Sequence, residues 1–234
     1  MVFSIQVTCL VSGGKDSVLA LWVALHKYEV QSIITIHPEK SDSYLFHTPN
    51  SRHVGLIANM LNIPHLTSYS SDNNLNREVM VLKDILEETN TEAVITGGLR
   101  SDFQRYKFNR AAKLAGMKCF NPLWRLKPEK LILELLTNNF TVIFVAVASM
   151  GFSKDLLGKK ITFETLERIR KFTQGTDLSL TGEGGEYESF VLNAPFFPSE
   201  IKILRSKVHW DESREEGSYE ILEAKLIEKN SFFR

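Results

Sequence analysis

Along the first half of the chain the hydrophobic pattern switches repeatedly between two periods. Residues 5–11 (IQVTCLV) form a short, largely apolar run rich in β-branched side chains, which predicts a buried strand. From Asp16 onward Leu19, Trp22 and Val23, joined by Val18, Leu21 and Leu25, recur at helical spacing. The same reading predicts strands over 30–37 (VQSIITIH), 65–69, 93–96 (AVIT) and 117–120. Helices are predicted over 49–61, 76–88 and 103–115, with Gly116 as the stop of the last. Strand–helix alternation of this length predicts a parallel sheet covered by helices on both faces. In such sheets ligands bind beyond the carboxyl ends of the strands.

The second half is more mixed. A helix over 129–138 precedes a strongly apolar strand over 141–148 (TVIFVAVA), a helix over 162–172, and strands over 190–192, 202–208 and 219–227. The expected fold is therefore α/β, a parallel-sheet N-terminal domain over 1–122 followed by a smaller α+β domain over 123–234. Pro122 marks the expected boundary.

Composition narrows the class. The 234 residues are 43% hydrophobic, which excludes a disordered chain, and 28 basic residues balance 28 acidic ones. Zero formal charge argues against a general nucleic-acid or membrane-surface binder. No apolar run reaches the roughly 18 residues of a membrane helix, and the start lacks the pattern of a signal peptide. Cys9 and Cys119 are the only cysteines and form no CxxC pair, so neither a disulfide scaffold nor an all-cysteine zinc site is expected. These totals predict a cytoplasmic protein with no membrane partner, and they leave self-association into a homo-oligomer open.

Three segments carry chemistry. The first is SGGKDS, residues 12–17, between the first strand and the first helix. It is neither the GxxxxGK[ST] phosphate loop nor the GxGxxG dinucleotide turn. Gly13 and Gly14 let backbone approach an anion, and the helix start favours negative charge. Lys15 can neutralise phosphate oxygens, and Ser12 and Ser17 supply hydroxyls. Asp16 would repel a bare phosphate and makes sense beside Mg²⁺. The second is TGGLRSDFQR, where Gly97 and Gly98 end a strand and Asp102 and Arg105 follow. The last two could orient metal and phosphate, or form an ordinary helix start capped by Ser101. The third is GEGGEYES, with Glu183, Glu186 and Glu188 around its glycines; alone, it reads better as a solvated acidic turn. Between Arg100 and Lys130 lie nine Lys or Arg and two acids, a solvated face or a docking stripe.

SGGKDS resembles the pyrophosphate loop of the ATP pyrophosphatase superfamily, whose members cleave ATP between the α and β phosphates. Further segments, DSYLFHT at 42–48, GGLRSDFQR at 97–105, PLWR at 122–125, VASMGF at 147–152 and GEGGEYESF at 182–190, resemble one branch, the diphthine–ammonia ligase or diphthamide synthetase family. The resemblance runs from about residue 5 to residue 195; the tail beyond is not diagnostic. It departs slightly at 186–189, where EYES stands for a frequent EYET and keeps a hydroxyl.

The resemblance implies an adenine-nucleotide alpha hydrolase-like (HUP, Rossmann-like) domain and an AMP-forming carbon–nitrogen ligase. Its substrates would be ATP with Mg²⁺, ammonium, and diphthine on translation elongation factor 2; no stable nucleic-acid partner is expected. It implies that Ser12, Gly13, Gly14, Lys15 and Ser17, with Gly97, Gly98 and Arg105, hold the nucleotide. Asp16 would carry the metal, and Lys15, Asp16, Asp102 and Glu186 the catalysis. On the acceptor side, Glu183 and Glu188 would attract the cationic substrates, with Tyr187 and Trp124 offering aromatic faces to a trimethylammonium group. Neither cysteine has an amidotransferase setting, so free ammonium is the expected nitrogen source. Two other readings stay open here: an adenylating tRNA-modification enzyme, and a non-catalytic adenine-nucleotide-binding module.

Overall fold

The computed structural model describes residues 5–38, 50–70, 75–148, 152–173, 179–182 and 184–229. The DSYLFHT segment, the middle of VASMGF (149–151) and Glu183 lie outside the described residues. The chain divides into two compact units, Met1–Arg125 and Leu126–Arg234.

The first unit alternates strands and helices in chain order: β1 (Gln6–Leu10), α1 (Lys15–Lys27), β2 (Glu29–Pro38), α2 (Val54–Leu61), β3 (His65–Ser70), α3 (Leu75–Glu87), β4 (Ala93–Ile95), α4 (Asp102–Leu114) and β5 (Lys118–Phe120). A 3₁₀ turn, Ser51–His53, leads into α2 where the sequence pattern predicts continuous helix. All the strand pairs are parallel, in the order β3-β2-β1-β4-β5.

Side-chain alternation along β2 assigns the faces. Ile34 and Ile36 pack with Val79, Leu82, Ile85 and Leu86 of α3, and with Phe108, Ala111 and Ala112 of α4. Ile33 and Thr35 face the other way, toward the side where right-handed crossovers put α1 and α2. The parallel sheet with two helical layers is thus the fold that the periodicity predicts. The order reverses between β1 and β4, so their carboxyl ends flank a crevice.

The second unit contains α5 (Pro128–Thr137), β6 (Thr141–Val147), α6 (Phe163–Thr173), β7 (Tyr187–Asn193), β8 (Ser199–Asp211) and β9 (Glu216–Glu228). Its strands pair antiparallel in the order β7-β6-β9-β8. Sequence pattern underestimates three of them. β7 begins at Tyr187 rather than 190, because YES reads as polar loop, yet Tyr187 pairs with Val147. β8 and β9 form a hairpin with thirteen residues in each arm. Most residues of β8 are exposed, so its ends carry little apolar alternation to read.

Candidate active site

The loop after β1 is built around one glycine that only glycine suits. Gly13 has φ of 86°, whereas Gly14 is extended (φ −70°, ψ 158°) and serves as the N-cap of α1. Ser17 Oγ donates to the carbonyl of Gly14 at 3.0 Å, and the amide of Ser12 donates to Ser17 Oγ at 3.2 Å. The two serines therefore tie the loop's ends together. Among the described residues no side chain caps α1.

Lys15 is buried, and its ammonium lies 3.0 Å from Asp16 Oδ2. The other oxygen, Asp16 Oδ1, is buried with no hydrogen-bond partner among the described residues. A desolvated carboxylate oxygen without a donor suits a hard cation. No cluster of three or more His, Cys, Asp or Glu able to hold a metal occurs among the described residues. One carboxylate nonetheless suits Mg²⁺, which keeps several waters and binds substrate phosphates.

The loop after β4 meets the first turn of α1. A Cβ on Gly97 would lie 2.7 Å from the backbone nitrogen of Ser17 and 2.8 Å from the carbonyl carbon of Asp16. The two glycine motifs, eighty residues apart in sequence, are thus in van der Waals contact across the β1–β4 crevice. Ser101 caps α4 by accepting from the amide of Gln104 at 3.2 Å, and Asp102 is exposed in the helix's first turn. The guanidinium of Arg105 lies 4.4 Å over the ring of Trp124. The Trp124 face expected to meet a substrate cation is thus stacked on a cation of its own chain. The Pro122–Arg125 turn lies in the first unit, where the amide of Arg125 donates to the carbonyl of Leu99 at 2.9 Å.

Sequence reasoning missed two residues here. Thr96 is buried and donates to Asn121 Oδ1 at 2.5 Å, bracing the β4 loop against the end of β5. The only available signal was their place just past the ends of two adjacent strands.

The acidic loop belongs to the second unit. Glu186 is 4% exposed and both its oxygens are engaged. Oε1 accepts from the amide of Ser179 at 2.6 Å and Oε2 from the amide of Gly184 at 2.8 Å. A Cβ on Gly184 would lie 2.7 Å from Oε1, so the glycine lets the loop fold onto the carboxylate. Tyr187 is 2% exposed, donates to the carbonyl of Leu180 at 2.8 Å, and packs against Phe144 and Phe152. This corrects the expectation of an aromatic face open to a substrate: burial and its ring neighbours make Tyr187 a core residue that pins the loop. Glu188 is half-buried one residue further along β7. The amide of Ala148, at the end of β6, donates to the carbonyl of Glu186 at 3.0 Å.

Burial pushes the Cys9 thiol up to about 12, and the Cys119 thiol up to about 11. Both are protonated at neutral pH. No helix among the described residues is long and apolar enough to cross a membrane.

A doubly wound parallel sheet with a glycine-rich, lysine- and aspartate-bearing loop at its switch point defines an α/β protein of the kind that binds ligands in such a crevice. More specifically, residues 5–119 match the diphthamide synthase N-terminal domain and residues 127–227 match the diphthamide synthase C-terminal domain; the chain belongs to the diphthamide synthase family. It is similar to curated proteins named diphthine–ammonia ligase. The Schizosaccharomyces pombe protein is 26% identical over 223 residues, 87% of this chain and 37% of that one. The Danio rerio protein is 26% identical over 232 residues, 89% and 91% respectively, and the Homo sapiens protein 26% over 227 residues, 87% and 84%. The chain thus spans little more than a third of the fission-yeast relative and most of the two vertebrate ones. A solved structure described as a predicted subunit of tRNA methyltransferase from Methanocaldococcus jannaschii aligns with 81% of this chain and 97% of that one, at 16% identity and a TM-score of 0.42, too loose a likeness to bear on function.

Proposed function

We propose that this chain joins ammonium to the carboxylate of diphthine on translation elongation factor 2, converting ATP to AMP and pyrophosphate. The observation that carries the reading is the contact of Gly97 with the first turn of α1, which assembles two of the family's motifs at one switch-point crevice.

A carboxylate is a poor acyl donor because ammonia would have to expel an oxide. Attack of a carboxylate oxygen on the α-phosphorus expels pyrophosphate and makes an acyl-adenylate. Ammonium gives up one proton, the resulting ammonia attacks the carbonyl carbon, the bond to AMP breaks, and the nitrogen loses a second proton. The backbone amides at Ser12, Gly13 and Gly14, with Lys15, hold the departing pyrophosphate, where fixed donors stabilise developing charge. Ser17 braces that loop, Gly97 and Gly98 bring backbone close to the nucleotide, and Arg105 meets phosphate. Asp16, with Asp102 in support, holds Mg²⁺, which supplies charge neutralisation on the phosphates.

On the acceptor side, Glu183 and Glu188 supply negative charge for ammonium and for the trimethylammonium group. Glu186 fixes the turn that leads into β7 and Glu188, and Tyr187 pins it from the core. Trp124 serves by seating Arg105. The site of action is the cytoplasm, where the factor works.

The test is mass spectrometry of diphthine-bearing factor incubated with the chain, ATP, Mg²⁺ and ammonium. An acid-to-amide mass change, with AMP and pyrophosphate formed in step, is expected. ATP cleavage that ignores the factor would overturn the reading.

A further inference from the structure

We propose that Asn121, which lies outside all the recognisable motifs, is a positioning residue for the nucleotide crevice. Its side chain fixes the Gly97–Gly98 turn, and its main chain seats Trp124 beneath Arg105. The inference rests on the ATP-binding reading above and adds a residue to it.

Three hydrogen bonds and one glycine clearance converge on this residue. The hydroxyl of buried Thr96 donates to Asn121 Oδ1 at 2.5 Å. A Cβ on Gly98 would lie 3.2 Å from the same oxygen, so the absent side chain makes room for the amide. Asn121 Nδ2 donates to Cys119 Sγ at 3.7 Å, which holds the amide plane from its other side. The carbonyl of Asn121 accepts from the amide of Trp124 at 3.1 Å, and Trp124 carries the Arg105 guanidinium 4.4 Å above its ring.

The turn beyond Asn121 needs such an anchor. Arg125 sits at φ of 60°, uncommon for a residue with a side chain, and its amide reaches back to Leu99. Thr96, Gly97 and Gly98 are consecutive, so the hydroxyl–amide bond at Thr96 sets how far Gly97 presses onto Ser17. One residue thereby controls both the glycine turn and the placement of the guanidinium.

The experiment uses the full chain and measures ATP affinity by calorimetry and amidation kinetics with diphthine-bearing factor. Asn121→Ala and Thr96→Val should each weaken ATP binding about tenfold, some 1.4 kcal/mol, with kcat at saturating ATP within about twofold of wild type. Thr96→Ser, which keeps the hydroxyl, should restore affinity. The double variant Asn121→Ala with Thr96→Val should bind ATP no worse than Thr96→Val alone, because both remove the same hydrogen bond. Additive losses, or folded Asn121→Ala with wild-type ATP affinity, would overturn the proposal. Should Asn121→Ala not fold, the Thr96 pair decides: equal affinity in folded Thr96→Val and Thr96→Ser sinks it. A wild-type chain that binds no ATP would instead overturn the underlying reading.

Discussion

Gly97 presses on Ser17 so closely that a methyl group on its α-carbon would lie 2.7 Å from the Ser17 nitrogen. The atoms it would meet are backbone, in the first turn of α1, and cannot swing aside. Gly97→Ala must therefore separate the two loops. It should lower stability by about 1–3 kcal/mol through overpacking and weaken ATP binding more than about tenfold. Gly116→Ala is the control. Its φ is 72°, so alanine is strained there, but a Cβ would meet nothing within 4 Å. That variant should lose stability in urea denaturation with ATP affinity intact. Equal ATP affinity in both would show that the Gly97 contact does not shape the site.

Lys15 and Asp16 make a second pair of expectations. Their charges lie 3.0 Å apart beside the phosphate loop, and Asp16 Oδ1 has no partner among the described residues. Lys15→Ala should raise the KM for ATP and lower kcat, since a phosphate charge loses its partner. Asp16→Asn keeps the shape but loses the charge for the cation, so it should shift the Mg²⁺ requirement upward. Both should unfold near the wild-type temperature by calorimetry. Full activity at unchanged Mg²⁺ in both variants would remove the pyrophosphate role from this loop.

The first unit was largely legible because its central strands β1, β2 and β4 are buried on both faces and its helices alternate with the strands. Ile33, Ile34 and Ile36 announce β2 without ambiguity. Hydrophobic period could not show the Thr96–Asn121 bond, because it joins two polar side chains at strand ends, where pattern stops. Nor could it assign Tyr187, whose acidic neighbours suggest an exposed loop although the ring is core. The bonds of Glu186 were hidden for the same reason: its oxygens accept from backbone amides that only the folded turn brings to them.

Thiol chemistry gives a negative expectation. Burial holds the Cys9 and Cys119 thiols near 12 and 11, so neither is a nucleophile at neutral pH. The double variant Cys9→Ala, Cys119→Ala should keep amidation within roughly threefold of wild type, while losing about 1–2 kcal/mol of stability from the vacated core. A folded double variant with normal ATP binding and no turnover would point to a thiol intermediate.

Histidines at the β2–β3 edge set a pH dependence of stability. His65 Nε2 lies 2.9 Å from Thr35 Oγ1, whose hydroxyl donates to the carbonyl of Val11 at 2.9 Å. The hydroxyl proton is committed to Val11, so Thr35 accepts from His65, and the imidazole braces the residue just before the phosphate loop. Burial lowers the His65 pKa, helped by the nearby His37, whose own pKa burial also lowers. The unfolded chain then binds more protons than the folded one below about pH 6.5. Stability should be full above that value and fall as pH drops through the folded pKa values. Asp155, which the Arg168 guanidinium holds well below the usual carboxylate range, releases its contribution only at lower pH. His65→Gln keeps a donor for Thr35 and removes one titration. Urea denaturation between pH 7.5 and 5.5 should show a shallower slope for it than for wild type; identical slopes would refute the assignment.

Glu186 is the sharpest test of the acidic loop. Its two oxygens accept from Ser179 and Gly184, and glutamine must turn an N–H₂ donor toward one of those amide donors. The variant Glu186→Gln should loosen the loop by about 1–3 kcal/mol, the cost of an unsatisfied buried donor. Hydrogen exchange at Ser179 or Gly184 should quicken accordingly. ATP affinity should stay within about twofold, since Lys15 and the glycine turns belong to the other unit. Amide formation should slow, because the turn that leads into Glu188 on β7 loses its fixed shape. Ammonium concentration then separates two origins of the defect. Rate recovery at high ammonium means the carboxylate contributes attraction for the cation; a slow rate at every concentration means that placement dominates, as the paired amides favour. Unchanged amide formation in a variant with quickened exchange would leave the loop without any role in the reaction.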